Sequence, residues 1–243
     1  MICILLAAGY ATRLYPLTEN MPKALLTLGS KTILDRVIEK INELECVERI
    51  YIVTNHRFAA QFNDWLETAV TDKCIKVIDD NTTNNDNRLG AIGDINFVIE
   101  REKIDDELLV MASDNIFDFS LKDMEKIFRT TGCDTIAAHY VEDISLLKQM
   151  GVVNLTEASK VTEFVEKPEN PPTHWGALPF YFYNKESVRL IKQYLDEGNN
   201  PDAPGHLVPY MCTHGDVYAY TFETTAIDIG TPETYADAQK LFD

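Results

Sequence analysis

The sequence predicts an α/β fold with a single doubly wound, mostly parallel sheet, and three observations support this prediction. Short apolar and β-branched stretches alternate regularly with amphipathic stretches over residues 1–140. The apolar spacing switches between the short runs typical of buried strands and the 3.6-residue period of helices. The helical stretches are long enough to carry the chain back across a sheet, and such crossovers make successive strands parallel.

The first part of the chain contains the alternating elements. Residues 2–8 form an uncharged apolar run that stops at Gly9, as a buried strand does. Thr32 and Asp35 have the spacing of a capping box, and apolar residues then recur on one helical face. We predict strands at residues 2–8, 49–54, 75–79, 107–113 and 135–139, and helices at residues 32–44, 58–70, 90–102 and 121–131.

From residue 151 onward, strands follow one another more closely. We predict strands at residues 152–155, 161–166, 177–183, 217–221 and 226–229, and helices at residues 186–197, 206–211 and 232–242. Because the chain shows neither an internal repeat nor a low-complexity linker, we expect one domain over residues 1–243 with a smaller β-rich subregion.

Composition excludes several classes of partner. The chain carries 39 acidic and 22 basic residues, a net charge of −17. Nucleic acids and anionic membrane surfaces both need a basic face, so neither is expected as a partner. No apolar run reaches the length of a transmembrane helix or has the form of a signal peptide, and the five cysteines are scattered. We therefore expect a cytoplasmic protein with reduced thiols.

The segment that follows the first strand has the chemistry of a phosphate site. Gly9 and Ala11 are small, so backbone N–H groups there can approach an anion. Arg13 and Lys23 add positive charge nearby. A strand, a glycine and a loop can also form a simple connector, and the segment is neither a Walker A loop nor a G-x-G-x-x-G fingerprint.

Two aspartates lie at the ends of predicted strands, Asp114 just after one and Asp228 near the end of another, at the edge where open α/β sheets bind ligands. Two carboxylates suit Mg²⁺, which prefers hard oxygen ligands and keeps substrate phosphates and waters as its other ligands. Taken alone, each aspartate also suits a helix N-cap or a turn. Likewise, Glu166 and Lys167, before Pro168, could form only an ion pair at the end of a strand.

The N-terminal string Leu-Ala-Ala-Gly-Tyr-Ala-Thr-Arg-Leu-Tyr-Pro-Leu-Thr, followed by Pro22-Lys23, closely resembles the signature of the sugar-1-phosphate nucleotidyltransferase family, which includes glucose-1-phosphate thymidylyltransferases. The family form has glycine where this chain has Ala11. Segments around Asp114, Glu166 and Asp228 resemble further family motifs in the same order. The resemblance implies a Rossmann-like fold of the nucleotide-diphospho-sugar transferase type.

The resemblance also implies roles for individual residues. Residues 1–140 would form the nucleotide-binding half and residues 141–243 the sugar-phosphate-binding half. Arg13 and Lys23 would be catalytic, and Asp114 and Asp228 would hold Mg²⁺. The implied nucleotide contacts are Leu6, Ala8, Gly9, Tyr10, Ala11, Thr12, Arg13 and Gly90, and the implied sugar-phosphate contacts are Gly151, Glu166, Lys167 and Gly176.

The implied reaction joins a nucleoside triphosphate to a sugar 1-phosphate and yields an NDP-sugar and pyrophosphate. The match around Gly90 is partial, and the Asn-rich stretch before it resembles choline-phosphate cytidylyltransferases of the same fold. An alternative acceptor is therefore phosphocholine or another small phosphate or phosphonate, with CTP as donor. The nucleobase and the sugar stay open at this point.

Two further alternatives are weaker. A non-catalytic, nucleotide-binding regulatory subunit would be expected to lack some of the charged site residues, yet Arg13, Lys23, Asp114, Lys167 and Asp228 are all present. A nicotinamide-dependent dehydrogenase would need glycines that the N-terminal loop does not have. We expect no C-terminal β-helix domain, and the sequence is compatible with a homo-oligomer.

Overall fold

The computed structural model describes residues 1–223 and 226–242, except for the side chains of residues 226 and 228. The described strands are β1 (Ile2–Leu6), β2 (Thr27–Leu28), β3 (Lys31–Thr32), β4 (Arg49–Thr54), β5 (Cys74–Asp79), β6 (Leu108–Ala112), β7 (Asn115–Phe117), β8 (Asp134–Tyr140), β9 (Gly151–Leu155), β10 (Val161–Glu166), β11 (Trp175–Tyr183), β12 (Val217–Phe222) and β13 (Ala226–Asp228). The described α-helices are α1 (Ile33–Asn42), α2 (Ala59–Leu66), α3 (Ala91–Glu102), α4 (Leu121–Thr131), α5 (Ile144–Leu147), α6 (Lys185–Asp196), α7 (Leu207–His214) and α8 (Pro232–Lys240).

A nine-stranded mixed sheet forms the centre of the molecule. Seven of its strands lie in the order β10-β9-β11-β6-β1-β4-β5, and β8 and β12 continue from the other side of β11. The pairs β1–β4, β1–β6, β4–β5 and β8–β12 are parallel. β11 is antiparallel to β6, β8 and β9, and β10 is antiparallel to β9. Only β10 and β11 thus oppose the common direction, which confirms the mostly parallel sheet.

Helices cover both faces of this sheet, because alternate residues of each strand face opposite sides. Cys3 and Leu5 of β1 pack in one buried cluster with residues of α1, α2 and α4. Ile4, between them, packs in a second cluster with residues of α3, α6 and α7. The sheet is therefore doubly wound as predicted, and Cys3 is a core residue with no exposed surface.

Several short elements were not predicted. The hairpin of β2 and β3, strand β7 and helix α5 each contain between two and four residues. Segments this short carry no readable period, so only their partners define them. Helix α2 also ends at Leu66 rather than at residue 70, where Val70 is 88% exposed.

Strand β11 links the two sides of a cleft at the edge of the sheet. Its C-terminal residues pair with β6, whereas Gly176 and Ala177 near its start pair with β9. The hairpin of β9 and β10 therefore begins beyond the carboxyl end of β6. It forms a wall beside the edge of the sheet where open α/β folds bind their ligands.

Candidate functional site

A cleft of about 700 Å³ opens over the carboxyl ends of β1 and β6. Its walls come from the N-terminal loop, the start of α3, the hairpin of β9 and β10 and the segment 202–205. The predicted site residues that line it are Leu6, Ala8, Gly9, Arg13, Lys23, Gly90, Asp114, Gly151, Glu166 and Lys167. Residues predicted from five separate stretches of sequence thus meet around one cavity.

The N-terminal loop turns sharply at Ala11. Ala11 adopts the left-handed conformation, with φ of 46°, and precedes a short 3₁₀ helix at Thr12–Leu14. The Ala11 carbonyl accepts hydrogen bonds from the Leu14 N–H at 3.0 Å and the Thr18 hydroxyl at 2.7 Å. This conformation favours glycine, which explains the glycine of the family signature, and a methyl side chain is the smallest departure from it.

Lys23 and Asp114 form an ion pair at the centre of the cleft. Lys23 Nζ lies 2.8 Å from Asp114 Oδ2, and the lysine side chain is only 11% exposed. Lys23 begins a short 3₁₀ helix at Lys23–Leu25, and Asp114 lies in the turn between β6 and β7. The pair brings together a cation suited to a phosphate and a carboxylate suited to a metal.

The backbone places the two predicted metal residues close together. Strand β7, which begins directly after Asp114, pairs antiparallel with β13, and Asn115 lies opposite Asp228. The side chain of Asp228 lies outside the described residues. Among the described residues, no three His, Cys, Asp or Glu side chains form a metal-binding group. A site of one or two carboxylates completed by phosphate oxygens and water fits Mg²⁺, which rarely uses an all-protein cage.

Glu166 and Lys167 lie on the opposite wall, at the end of β10. Burial raises the pKa of the half-buried Glu166 carboxyl, while Lys167 and His206 oppose that effect. Lys167 has a positive φ of 48°, and its N–H donates to the Met150 carbonyl at 3.1 Å. Its side chain is 59% exposed, with Nζ 4.0 Å from Glu166 Oε1. An exposed lysine beside a half-buried carboxylate can bind a phosphate and a hydroxyl group, respectively.

Gly151 allows the hairpin wall to close. A Cβ at Gly151 would clash with the Phe164 ring across the β9–β10 pair. A Cβ at Gly205 would clash with both the Phe164 ring and the Glu166 carboxylate. Glycines at these two positions let the backbone pack closely against Phe164 and Glu166. We call this side of the cleft, formed by the β9–β10 hairpin with Glu166 and Lys167, the acceptor wall.

Four predicted contacts lie beside the cleft rather than on its lining. Tyr10 is buried, and Thr12 is exposed at the start of the 3₁₀ helix. Ala11 lines a smaller adjoining cavity with Arg13 and Lys23. Gly176 is buried beneath Met150, and a Cβ there would lie 2.7 Å from the Met150 sulfur. These four assignments stay predictions.

A loop of residues 199–206, which the sequence analysis did not single out, closes the cleft over α3. The Ala91 and Ile92 N–H groups donate to the Asp202 and Pro201 carbonyls at 3.1 and 2.9 Å. Gly90 has a φ of +80°, and a Cβ there would lie 2.6 Å from the Pro201 oxygen. Two N–H groups at the start of α3 are therefore satisfied by protein carbonyls, which makes this helix N-terminus less available to an anion.

An ion pair links this 199–206 loop to the nucleotide-binding half. The Arg88 guanidinium donates to both carboxylate oxygens of Asp202, at 3.0 and 3.1 Å. The pKa of Asp202 is lowered, first by Arg88 and also by Lys167 and His206. Arg88 and Asp202 are separated by more than a hundred residues, so local sequence patterns do not indicate that they pair. The composition of residues 199–206 indicates a loop but not its partner.

No described helix is long and apolar enough to cross a membrane.

Comparisons with known proteins agree with this geometry. A sequence model of the family described as nucleotidyl transferase matches residues 2–242. Glucose-1-phosphate adenylyltransferase 1 of Vibrio cholerae is 25% identical over 97% of the chain, and a putative mannose-1-phosphate guanyltransferase of Sulfolobus acidocaldarius is 26% identical over 96%. The chain spans only 64% and 60% of those two relatives. UTP–glucose-1-phosphate uridylyltransferase AglF of Haloferax volcanii is 24% identical, over 99% of this chain and 96% of its own.

Solved structures share the fold. A putative glucose-1-phosphate thymidylyltransferase from Bacillus anthracis, crystallised with sucrose, superposes with a TM-score of 0.82 at 21% identity, covering 99% of this chain and 95% of its own. A UDP-glucose pyrophosphorylase complexed with UDP-glucose superposes with a TM-score of 0.81 at 19% identity, covering 99% and 97%.

Proposed function

The chain belongs to the nucleotidyl transferase family, and we propose that it transfers a nucleoside monophosphate from a nucleoside triphosphate to a sugar 1-phosphate, releasing pyrophosphate. The observation that carries the proposal is the single cleft that joins Arg13 and Lys23 to Glu166 and Lys167 across Asp114. The relatives differ in nucleobase, but the adenylyl-, guanyl- and uridylyltransferases named above all act on a sugar 1-phosphate. We therefore propose a sugar 1-phosphate as the acceptor and do not assign the nucleobase of the donor.

Positioning and charge neutralisation account for the chemistry. An oxygen of the sugar phosphate attacks the α-phosphorus in line with the departing pyrophosphate. Because this nucleophile is already an anion, no general base is needed. Arg13 suits the β- and γ-phosphates, since its planar guanidinium can bind two oxygens at once. Lys23 suits the α-phosphate, once its ammonium is shared between that phosphate and Asp114.

Asp114 and Asp228 would hold Mg²⁺. When bound, the ion would neutralise phosphate charge and help to orient the two substrates. Lys23 already pairs with Asp114 in the described structure, so it balances the carboxylate charge and orients the Asp114 side chain.

The acceptor wall would hold the second substrate. Lys167 is exposed toward the cleft and would bind the sugar phosphate, while Glu166 would accept hydrogen bonds from sugar hydroxyls. The alternative acceptor, phosphocholine, is not favoured, since the relatives named above act on sugar 1-phosphates. We further propose that the protein works in the cytoplasm, where its five free cysteines would stay reduced.

A substrate matrix tests the proposal. ATP, GTP, CTP, UTP and dTTP are each combined with glucose 1-phosphate, mannose 1-phosphate, N-acetylglucosamine 1-phosphate and phosphocholine, and released pyrophosphate is measured with Mg²⁺ or with EDTA. We expect Mg²⁺-dependent pyrophosphate release with at least one sugar 1-phosphate and none with phosphocholine. Release with phosphocholine alone, or no acceptor-dependent release with any pair, would contradict the proposal.

A further inference from the structure

The carboxyl group of Asp94 lies in the cleft without a role in the proposed chemistry. It belongs to the first turn of α3, directly behind Gly90, and lines the cavity. Only 6% of the residue is exposed, and its Oδ1 atom is buried without a hydrogen-bond donor. A carboxyl group this deeply buried needs a proton or a partner, because its charged form is poorly solvated.

The group that faces Asp94 is a second buried carboxyl, Asp80, which follows β5. Asp80 Oδ1 accepts a hydrogen bond from the Thr82 N–H at 2.6 Å, whereas its buried Oδ2 has no donor. The two carboxyl groups are within hydrogen-bonding reach of each other. Two carboxylates in contact cannot both stay ionised, so one proton shared between them satisfies both.

The proton belongs on Asp94. Burial, and next the charge of Asp80, raise the pKa of Asp94 to about 8. Burial also raises the pKa of Asp80, but the Thr82 N–H stabilises its ionised form. At pH 7 the Asp94 carboxyl is therefore neutral.

The position of the pair within the cleft indicates what it meets. Asp94 lines the same cavity as Ala8, Gly90 and Arg88, and Gly90 immediately precedes the first turn of α3 to which Asp94 belongs. These residues belong to the nucleotide-binding half, whereas Glu166 and Lys167 lie on the acceptor wall. Because the N-terminal loop takes the phosphates, the part of a nucleotide that reaches α3 is its nucleobase.

We propose that Asp94 reads the nucleobase: its proton is held against Asp80, and its other carboxyl oxygen accepts a hydrogen bond from an N–H group of the base. The inference rests on the proposed nucleotide substrate. It adds a specificity-determining residue that lies outside the signature segments of this chain.

The shared proton makes nucleotide binding sensitive to alkaline pH. Asp80, at the end of β5, is the ionisable group that acts on Asp94, and Asp79 adds a like charge to Asp80. Arg88 and Asp114 are other charged groups that line the same cleft. Above about pH 8, loss of the Asp94 proton puts a second negative charge beside the base of an anionic nucleotide. The affinity for nucleotide should therefore fall as pH rises from 7 to 9.

Equilibrium binding tests the proposal without relying on turnover. The titrants are the five nucleoside triphosphates and inorganic tripolyphosphate, a probe without a base, each with Mg²⁺. We expect Asp94→Ala to weaken the tightest-binding triphosphate at least tenfold and tripolyphosphate less than twofold. Equal weakening of both, or of neither, would overturn the proposal, as would equal wild-type affinity for all six ligands.

Two further variants separate base reading from folding. Asp94→Asn keeps a donor for Asp80 and an oxygen for the base, so its affinity should exceed that of Asp94→Ala and should not fall between pH 7 and 9. Asp134→Asn is the matched control, because Asp134 is a buried carboxyl of β8 outside the cleft, and its pH profile should follow the wild type. An unchanged alkaline fall in Asp94→Asn would overturn the proposal. Nucleotide binding with these properties but no transfer to any acceptor would instead reject the proposed reaction alone.

Discussion

Ala11 shows how a single residue can depart from a family signature without disturbing the site. Its left-handed backbone is the conformation for which the signature glycine is suited. A non-glycine residue costs about 1–2 kcal/mol in this conformation, and alanine has the smallest side chain that can bear it. The departure therefore affects stability more than the shape of the phosphate loop.

We expect Ala11→Gly to leave the free energy of unfolding unchanged or to raise it by up to about 1 kcal/mol. Relief of the backbone strain is partly offset by the greater entropy of glycine in the unfolded chain. Urea denaturation measures the change. Ala60→Gly, on the exposed face of helix α2, is the matched control and should lower stability by about 1 kcal/mol. A loss of similar size in both variants would contradict the strain at Ala11.

Lys23 should be the most sensitive cation of the site. Its removal would break the ion pair with Asp114 and, in the proposed mechanism, would take away the charge assigned to the α-phosphate. We expect Lys23→Ala to lower kcat on the order of a hundredfold, as does loss of one oxyanion-type stabiliser. Lys31→Ala, which breaks an exposed ion pair with Glu39, should change kcat less than twofold. Near wild-type kcat in Lys23→Ala would remove Lys23 from the mechanism.

At the scale of elements, the contact between α3 and the 199–206 loop holds the two halves of the site together. The first N–H groups of a helix lack partners within the helix. Here two of them donate to the 199–206 loop, and the Arg88–Asp202 ion pair adds a second link. That ion pair is exposed, so it contributes at most about 1 kcal/mol, and the backbone contacts determine the geometry.

Gly90→Ala tests this contact between elements. The new methyl group would combine the strain of a positive φ with a clash against the Pro201 carbonyl. We expect stability to fall by about 2–5 kcal/mol, the sum of about 1–2 for strain and about 1–3 for overpacking. The KM for both substrates should also rise. Gly198→Ala is the control, because Gly198 has a φ of +79° with open space around it and should cost only the strain. Equal losses of stability in Gly90→Ala and Gly198→Ala would mean that the 199–206 loop does not pack closely against Gly90.

At the scale of the whole molecule, the cleft is balanced in charge although the chain is strongly acidic. The net charge of −17 demands that cations be concentrated where anionic substrates bind. The charged residues that line the cleft in the described structure are Arg13, Lys23, Arg88, Lys167, Asp94, Asp114, Glu166 and Asp202. Several of these cations are already paired with carboxylates, which leaves the cleft close to neutral.

Buried carboxyl groups should make the whole fold less stable as pH rises. Burial raises the pKa of Asp134 from 3.8 to about 6, and that of Asp94 to about 8. The folded state therefore binds more protons than the unfolded chain between pH 4 and 8, so the free energy of unfolding falls across this range. Asp134→Asn removes one of these protons. Below pH 6, its free energy of unfolding should therefore fall with pH by about 2–3 kcal/mol less than that of the wild type. Urea denaturation at pH 5, 6.5 and 8 measures the slope, and a pH-independent wild type would contradict it.

Local patterns along the chain encode several parts of this protein. The alternation of strands and helices followed from apolar spacing, because each element repeats its burial every two or every 3.6 residues. Candidate site residues could also be selected from the sequence, because each lies in a short motif whose chemistry is visible within a few residues. They are Arg13, Lys23, Asp114, Glu166 and Lys167. The shortest elements, such as β7 and α5, escaped prediction because they contain no full period.

Only the tertiary structure decided how these parts meet. The pairing of β11 with both β6 and β9 placed the acceptor wall opposite the N-terminal loop. Packing also placed Pro201 on Gly90 and the carboxyl of Asp80 against that of Asp94. Such contacts join residues from different elements, and nothing in the spacing of either partner records them. The protein's family can thus be read along the chain, whereas the shape of the cleft and the contact between Asp80 and Asp94 come from packing.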